Sequence, residues 1–185
     1  MIFQPDRYLL KQQIKKHAHY LEGIILDAGS GEIRRYKSFF KFEKYLTLDV
    51  RPESGADIIG SVENIPHENS SVHSVVSTQV LEHIKNPAKA ISEFYRVLKP
   101  GGYCLVTAPQ LSELHEEPRD YFRFTKFALE EIFENSGFKT ILIERRGGFW
   151  TANFQMHIRY AIDLFNLNHH VWLAKIFNPV FLICG

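Results

Sequence analysis

A chain of 185 residues, 45% apolar and 14% aromatic, has the size of one globular domain with a sizeable core. Lys plus Arg is 22 against 21 Asp plus Glu, so the formal charge of +1 gives no sequence-wide reason to expect a nucleic-acid partner. Two cysteines, Cys104 and Cys184, are too few and too far apart for a disulfide scaffold or a zinc site; no metal is expected, and with no signal-peptide pattern the chain fits a reducing cytoplasm.

Residues 8 to 20 carry Leu9, Leu10, Ile14 and Ala18 near helical spacing and predict an N-terminal helix, with the basic stretch Lys11 to His19 as its solvated face. The short branched run "GIILDA" reads as a buried strand ending on Asp27. "EIRRYKSFFKFEK" reads as a helix, "YLTLDV" as a second strand ending on Asp49, "ADIIG" as a weaker third, and "SVHSVVSTQVL" contains a fourth. A helix comes next, capped by Asn86 with Pro87 at its first position, and Ile91, Phe94, Tyr95 and Leu98 line one face before "KPGG". "YCLVTAP" is a fifth strand, Thr125 caps "KFALEEIFENSG", Gly137 ends it, and "FKTILIE" alternates as a sixth strand. After "GGFW", Phe154, Ile158, Ala161, Ile162 and Phe165 again recur at helical spacing. The closing run "VWLAKIFNPVFLICG" is too short and too interrupted by Lys175 and Pro179 to span a membrane. It leaves three readings: packing on the core, a homodimer or membrane-surface contact, or a chain that continues beyond Gly185, which is the preferred one.

Strands alternating with helices imply an α/β fold, a doubly wound and mostly parallel sheet with helices on both faces. In such a sheet ligands bind beyond the carboxyl ends of the strands, where strand order reverses. Gly29 and Gly31 let the backbone turn sharply and a ligand approach their N–H groups, and a helix N-terminus after them favours negative charge. Asp27 can accept from an ammonium group, and Asp49, 22 residues later at the end of the next strand, can accept both hydroxyls of a ribose. Together they outline an amino acid joined to a nucleoside. A dinucleotide fingerprint would need glycine where Arg34 stands, and the Gly-Lys-Ser/Thr ending of a phosphate loop is absent.

On these residues the chain resembles the class I S-adenosylmethionine-dependent methyltransferases. "LDAGSG" looks like their first motif and "LTLDV" like their second. "GSVENIPHENSSVHSVVSTQVLEHIKNP" matches their run from acidic loop to fourth strand, and "EFYRVLKPGGYCLVTAP" their next helix, turn and fifth strand, so the likeness covers about residues 22 to 145. Ile33 replaces the third glycine of the first motif, and Ser61 the acid near the adenine amino group. The resemblance implies a Rossmann-like domain whose terminal antiparallel strand is missing or replaced by helix. It divides into an N-terminal helix (1–22), a cofactor-binding core (23–148) with an acceptor-site insertion (109–124), and an apolar helical C-terminal segment (149–185). It also implies S-adenosylmethionine as cofactor, with S-adenosylhomocysteine as product. Asp27, Gly29 and Gly31 would face its methionine part, Asp49 the ribose, Val50 the adenine, with backbone groups of Ser61 and Val62 holding the base, and Gln79 near the amino end or the methyl group.

A sulfonium methyl is already activated, so the enzyme supplies alignment and, for a hydroxyl or ammonium acceptor, a base. His83 in "LEHIKNP" is one candidate base and His115 a second, with Glu82 orienting the loop; a structural hydrogen bond is the alternative for each histidine. "QLSELHEEPRDYFRFTKFALEEIF" resembles a bacterial methyltransferase subgroup with D-Y-x-R-[FY]-T. Tyr121 and Arg123 are read there as acceptor-binding residues, unless the aromatics pack the loop and Arg123 pairs with Asp120. Trp150 in "RRGGFW" either lines the acceptor pocket or closes the core. The expected partner is a small-molecule methyl acceptor: a sugar, a lipid-linked glycan or another secondary metabolite. A non-catalytic binding module of the same fold and a nucleotide-dependent oxidoreductase are the competing readings.

Overall fold

The computed structural model describes residues 5–164, so Phe165, Cys184 and the closing apolar run lie outside the described residues. The chain divides into two compact units, residues 15–143 and residues 1–14 with 144–185.

The larger unit is built on five parallel strands: β1 (Ile24–Ala28), β2 (Lys44–Asp49), β3 (Ile58–Ile59), β4 (Val72–Thr78) and β5 (Leu98–Thr107), in the order β3-β2-β1-β4-β5. Their near-continuous apolar runs suit strands covered on both faces. Ile25, Leu26, Leu48, Val72 and Val75 are fully buried. Helix α1 (Pro5–His17) precedes the sheet, and α2 (Pro87–Val97) forms where caps and stripe predict it. Its Asn86 side chain accepts the Lys89 N–H at 3.1 Å, Pro87 opens the first turn, and Ile91, Phe94 and Val97 join the core. Asn86→Ala is expected to cost about 1 kcal/mol of unfolding free energy, read as a lower urea midpoint at unchanged slope. Helix α3 (Lys126–Asn135) is capped by Thr125, which accepts the Ala128 N–H at 3.2 Å.

Two predicted elements are absent. The segment 32–44 forms turns and a single 3₁₀ turn, Lys37–Phe39, in place of a helix. Of residues 32–43 only Phe40 is buried, so no apolar stripe pays the nucleation cost of a helix; Phe40 is extended and stacks near Tyr45, ring centroids 6.3 Å apart. The segment 138–144 forms no strand, and Ile141, Leu142 and Ile143 stay exposed. Alternation makes a strand only where a neighbour takes up the backbone N–H and C=O groups, and none among the described residues does so here.

In the smaller unit the helix expected after "GGFW" is α4 (Phe149–Leu164). Leu10, Ile14, Ile158 and Ile162 are its buried side chains, the Gln13 amide donates to the Arg145 carbonyl at 2.9 Å, and Arg146 pairs with Asp6. No helix among the described residues is long and apolar enough to cross a membrane.

Candidate active site

β1 pairs with β2 on one side and β4 on the other, so strand order reverses between β1 and β4, and a crevice is expected beyond their carboxyl ends. The loops leaving these strands touch: a Cβ on Gly29 would stand 2.5 Å from a Val80 methyl. Gly29 also has φ +81°, so its missing side chain serves packing and a left-handed turn. Gly29→Ala is expected to lower stability by at least about 1 kcal/mol in thermal or denaturant unfolding. Gly31, at φ +60°, differs: a Cβ there would meet only the Arg51 guanidinium, at an ordinary contact distance of 3.8 Å, so its glycine serves the left-handed turn and not close packing.

The amides of this loop are not free for a ligand, contrary to the sequence expectation. Gly29 and Ser30 donate to the Leu48 carbonyl at 2.8 and 3.0 Å, and Gly31 donates to Asp49 Oδ2 at 2.9 Å. With no helix after the loop, the expected positive helix terminus is absent as well. The loop contributes shape and holds Asp49, and the charges come from Asp27 and Asp49 at the strand ends.

Asp27 is buried, and Tyr45 Oη donates to its Oδ2 at 2.7 Å. Burial raises its pKa to about 6 despite that hydrogen bond. The same proximity and burial push the Tyr45 phenol far above its ordinary range. Asp49 behaves oppositely: burial opposes its charge, but the Arg51 backbone N–H (2.9 Å), the Arg51 guanidinium (3.2 Å) and the Gly31 N–H outweigh it and hold the carboxyl below its usual range. Val50 next to it is 60% exposed, a bare apolar surface beside an anchored carboxylate. Ser61 Oγ accepts the Glu63 N–H at 3.1 Å, and the Val62 side chain is buried in the core, leaving its backbone as the part a ligand could meet. Gln79, just past β4, is left-handed at φ +56°, and its amide donates to Thr107 Oγ1 at 3.2 Å.

A second group gathers on the turn Leu81–His83 and the loop 109–124. The Glu82 carbonyl accepts the Tyr121 and Phe122 N–H groups at 2.8 and 3.2 Å, and Phe124 N–H closes the loop on the Pro109 carbonyl at 2.9 Å. Thus Glu82 does orient the loop, through its backbone. The two candidate bases, 32 residues apart in sequence, meet edge to face with ring centroids 4.9 Å apart. His83 Nδ1 lies 2.5 Å from the Arg119 carbonyl and His115 Nδ1 lies 3.1 Å from the Glu113 carbonyl. A carbonyl only accepts, so each δ nitrogen carries the proton and each ε nitrogen is the basic one.

Arg123 does not reach outward. Its five N–H donors go to Ser112 O, Phe122 O, Glu113 O and both Asp120 oxygens at 2.7 to 3.1 Å, the pairing with Asp120 that the sequence left as the alternative. The Arg123 hydrogen bonds hold the Asp120 carboxyl well below its ordinary pKa. Tyr121 is 41% exposed and remains available at the loop surface. Trp150 belongs to the other unit and is 69% exposed, its ring against Phe149 and Phe154, so it does not close a core. Sequence reasoning missed Tyr45 and Arg51 as partners of these groups, whereas Asp120, an acid three residues before Arg123, was visible as its partner.

Residues 26–106 match the methyltransferase domain family. A probable S-adenosylmethionine-dependent methyltransferase of Mycolicibacterium smegmatis is 35% identical over 102 residues, 52% of this chain and 37% of that protein. The 2-methyl-6-phytyl-1,4-hydroquinone methyltransferase 1 of Oryza sativa is 29% identical over 56% of this chain and 33% of its own length. The chain therefore spans well under half the length of these relatives. Among solved structures, the Haemonchus contortus phosphoethanolamine N-methyltransferase 2, in complex with phosphomonomethylethanolamine and S-adenosylhomocysteine, superposes with a TM-score of 0.62 at 24% identity over 91% of this chain and 44% of that one. A possible histamine N-methyltransferase of Thermotoga maritima gives 0.57 at 20% identity over 74% of each chain. Sheet order and domain match agree: the fold is that of the class I S-adenosylmethionine-dependent methyltransferases, and residues 26–106 match their methyltransferase domain.

Proposed function

We propose that the protein transfers the methyl group of S-adenosylmethionine to an oxygen or nitrogen of a small-molecule acceptor in the cytoplasm. The observation that carries this reading is the pair of carboxylates at the ends of β1 and β2, one buried on Tyr45 and one latched to the glycine loop. Their chemistry fits the cofactor: an acid for the ammonium, an acid for the ribose diol, and the bare Val50 surface for the base. When bound, the cofactor supplies an electrophilic methyl on a sulfonium. Asp27 holds the ammonium end, and Asp49 accepts from the ribose hydroxyls once the half-exposed Arg51 side chain swings off Oδ1. Backbone groups of Ser61 and Val62 border the adenine, and Gln79, fixed on Thr107, borders the methyl-bearing end.

The acceptor enters beside the 109–124 loop. Tyr121 supplies an amphipathic contact surface, and Arg123 acts by stiffening the loop through Asp120. The ε nitrogens of His83 and His115 form the proton-accepting end of the site. The names of the relatives, a phytyl hydroquinone and a phosphoethanolamine enzyme, support a small acceptor without choosing one. The expected result in calorimetry is binding of S-adenosylmethionine and S-adenosylhomocysteine and none of NAD, followed by turnover of tritiated methyl groups in an acceptor panel of glycans, lipid-linked sugars and phenols. Binding of NAD alone overturns the reading. Cofactor binding with no turnover across the panel supports the non-catalytic module instead.

A further inference from the structure

Glu82 is the one carboxylate among the described residues that is buried without a hydrogen-bond partner. Its side chain is fully buried at the carboxyl end of β4, and neither carboxylate oxygen has a hydrogen-bond partner. A buried, unpaired carboxylate is costly, and such groups persist where a charge partner completes them. The surroundings contain the remaining parts of that partner's site. His83 Nε2 is 4.0 Å from Glu82 Oε1, the His115 ring stands edge to face with His83, and one donor atom from each of the three residues lies within 4.8 Å of the others.

The orientation of the imidazoles is the second, independent observation. Both δ nitrogens lie against backbone carbonyls, of Arg119 and Glu113, which leaves both ε nitrogens unprotonated, that of His83 facing Glu82 Oε1. Metal-bound histidines are held in this way, their other N–H donated to a carbonyl or carboxylate. His115 has both, because Asp120 Oδ2 is 3.4 Å from its Nδ1 and also accepts its backbone N–H at 2.9 Å. Asp120 is in turn fixed by the bidentate Arg123 pair, so the loop's strongest ion pair stands directly behind the second imidazole.

We infer that Glu82, His83 and His115 form a binding site for one divalent transition-metal ion of the zinc type. Two imidazole nitrogens and one carboxylate oxygen suit a borderline ion such as Zn²⁺ or Co²⁺ better than Mg²⁺ or Ca²⁺, which prefer all-oxygen sets. With bonds of about 2.1 Å, two donors of one ion lie at most about 4.2 Å apart, so the trio closes through small side-chain rotations. Three protein ligands leave a coordination position open, as in catalytic rather than structural sites. If the methyltransferase reading above holds, that position is where an acceptor hydroxyl would bind and lose its proton to solvent, so that neither imidazole need serve as the base. Ion binding itself does not rest on that reading.

The test uses the full, untagged chain after chelator treatment, titrated with Zn²⁺ by calorimetry and with Co²⁺ by visible absorption. One ion per chain is expected, with d–d bands of a nitrogen- and oxygen-ligated Co²⁺ site and a thermal-stability rise with Zn²⁺ that Mg²⁺ does not reproduce. Glu82→Gln and His115→Ala should each weaken Zn²⁺ binding at least about 100-fold, while His19→Ala, outside the cluster, leaves it unchanged. His115 lies on the loop, so its variant keeps the test open should the buried Glu82→Gln fold poorly. Absence of stoichiometric Zn²⁺ and Co²⁺ binding overturns the site, as does binding that survives His115→Ala. Zinc binding without S-adenosylhomocysteine binding would uphold the site and reject the methyltransferase reading, and the converse would do the reverse.

Discussion

Asp49→Ala is expected to weaken S-adenosylhomocysteine binding by at least about 100-fold in calorimetry, because two hydrogen bonds from ribose hydroxyls to an ionised carboxylate are worth about 1.5–3 kcal/mol each. The variant also loses the acceptor of the Gly31 N–H, so the glycine loop is released at the same time. Arg51→Ala separates the two contributions. It removes the side chain from Oδ1 while leaving the Gly31 contact, and should hold affinity within about threefold of the parent. Unchanged binding in Asp49→Ala would remove the carboxylate from the cofactor site.

The second large effect concerns Asp27, where binding and stability are set against each other. Its pKa rises from 3.8 to about 6 on folding, chiefly through burial, so the folded chain holds this proton more tightly than the unfolded one. Stability from this group is therefore greatest below about pH 4, falls as pH rises from about 4 to 6, and is level above. The total is roughly 2–3 kcal/mol. Asp27→Asn keeps an oxygen for the Tyr45 hydroxyl and removes the penalty. At pH 8 the variant is expected to be more stable than the parent by roughly 2–3 kcal/mol in denaturant unfolding, with the slope between pH 4 and 6 flattened. Its cofactor affinity should fall at least about tenfold through the lost ammonium contact. A variant no more stable at pH 8 than at pH 4 relative to the parent would show that Asp27 is not strained by burial.

Much of the fold was legible because local rules and packing agree. Asn86, Pro87 and the stripe Ile91, Phe94 mark α2 unambiguously, and the branched runs ending on Asp27 and Asp49 mark the two strands that carry the acids. Where the rules misled, a pattern lacked its partner. The aromatic stretch before β2 has helical residues but no face to bury, and "FKTILIE" alternates without a neighbouring strand. The site divides in the same way. Asp27 and Asp49 could be paired by spacing, whereas the direction of the loop amides, inward onto Leu48 and Asp49, depends on how β1 and β2 register. His83 and His115 could be ranked only singly, since their meeting depends on the fold-back of the 109–124 loop onto the Glu82 carbonyl.

That loop is a closed circuit. Its ends meet through Phe124 and Pro109, its interior is cross-braced by Arg123 on Asp120, and its backbone is tied to the turn after β4 through the Glu82 carbonyl and the His83 ring. None of these links uses Asp27, Asp49 or the glycine turn. The consequence is modular: on the proposed reading, exchanging the segment between Pro109 and Phe124 as a cassette is expected to change the acceptor and leave the affinity for S-adenosylhomocysteine unaltered.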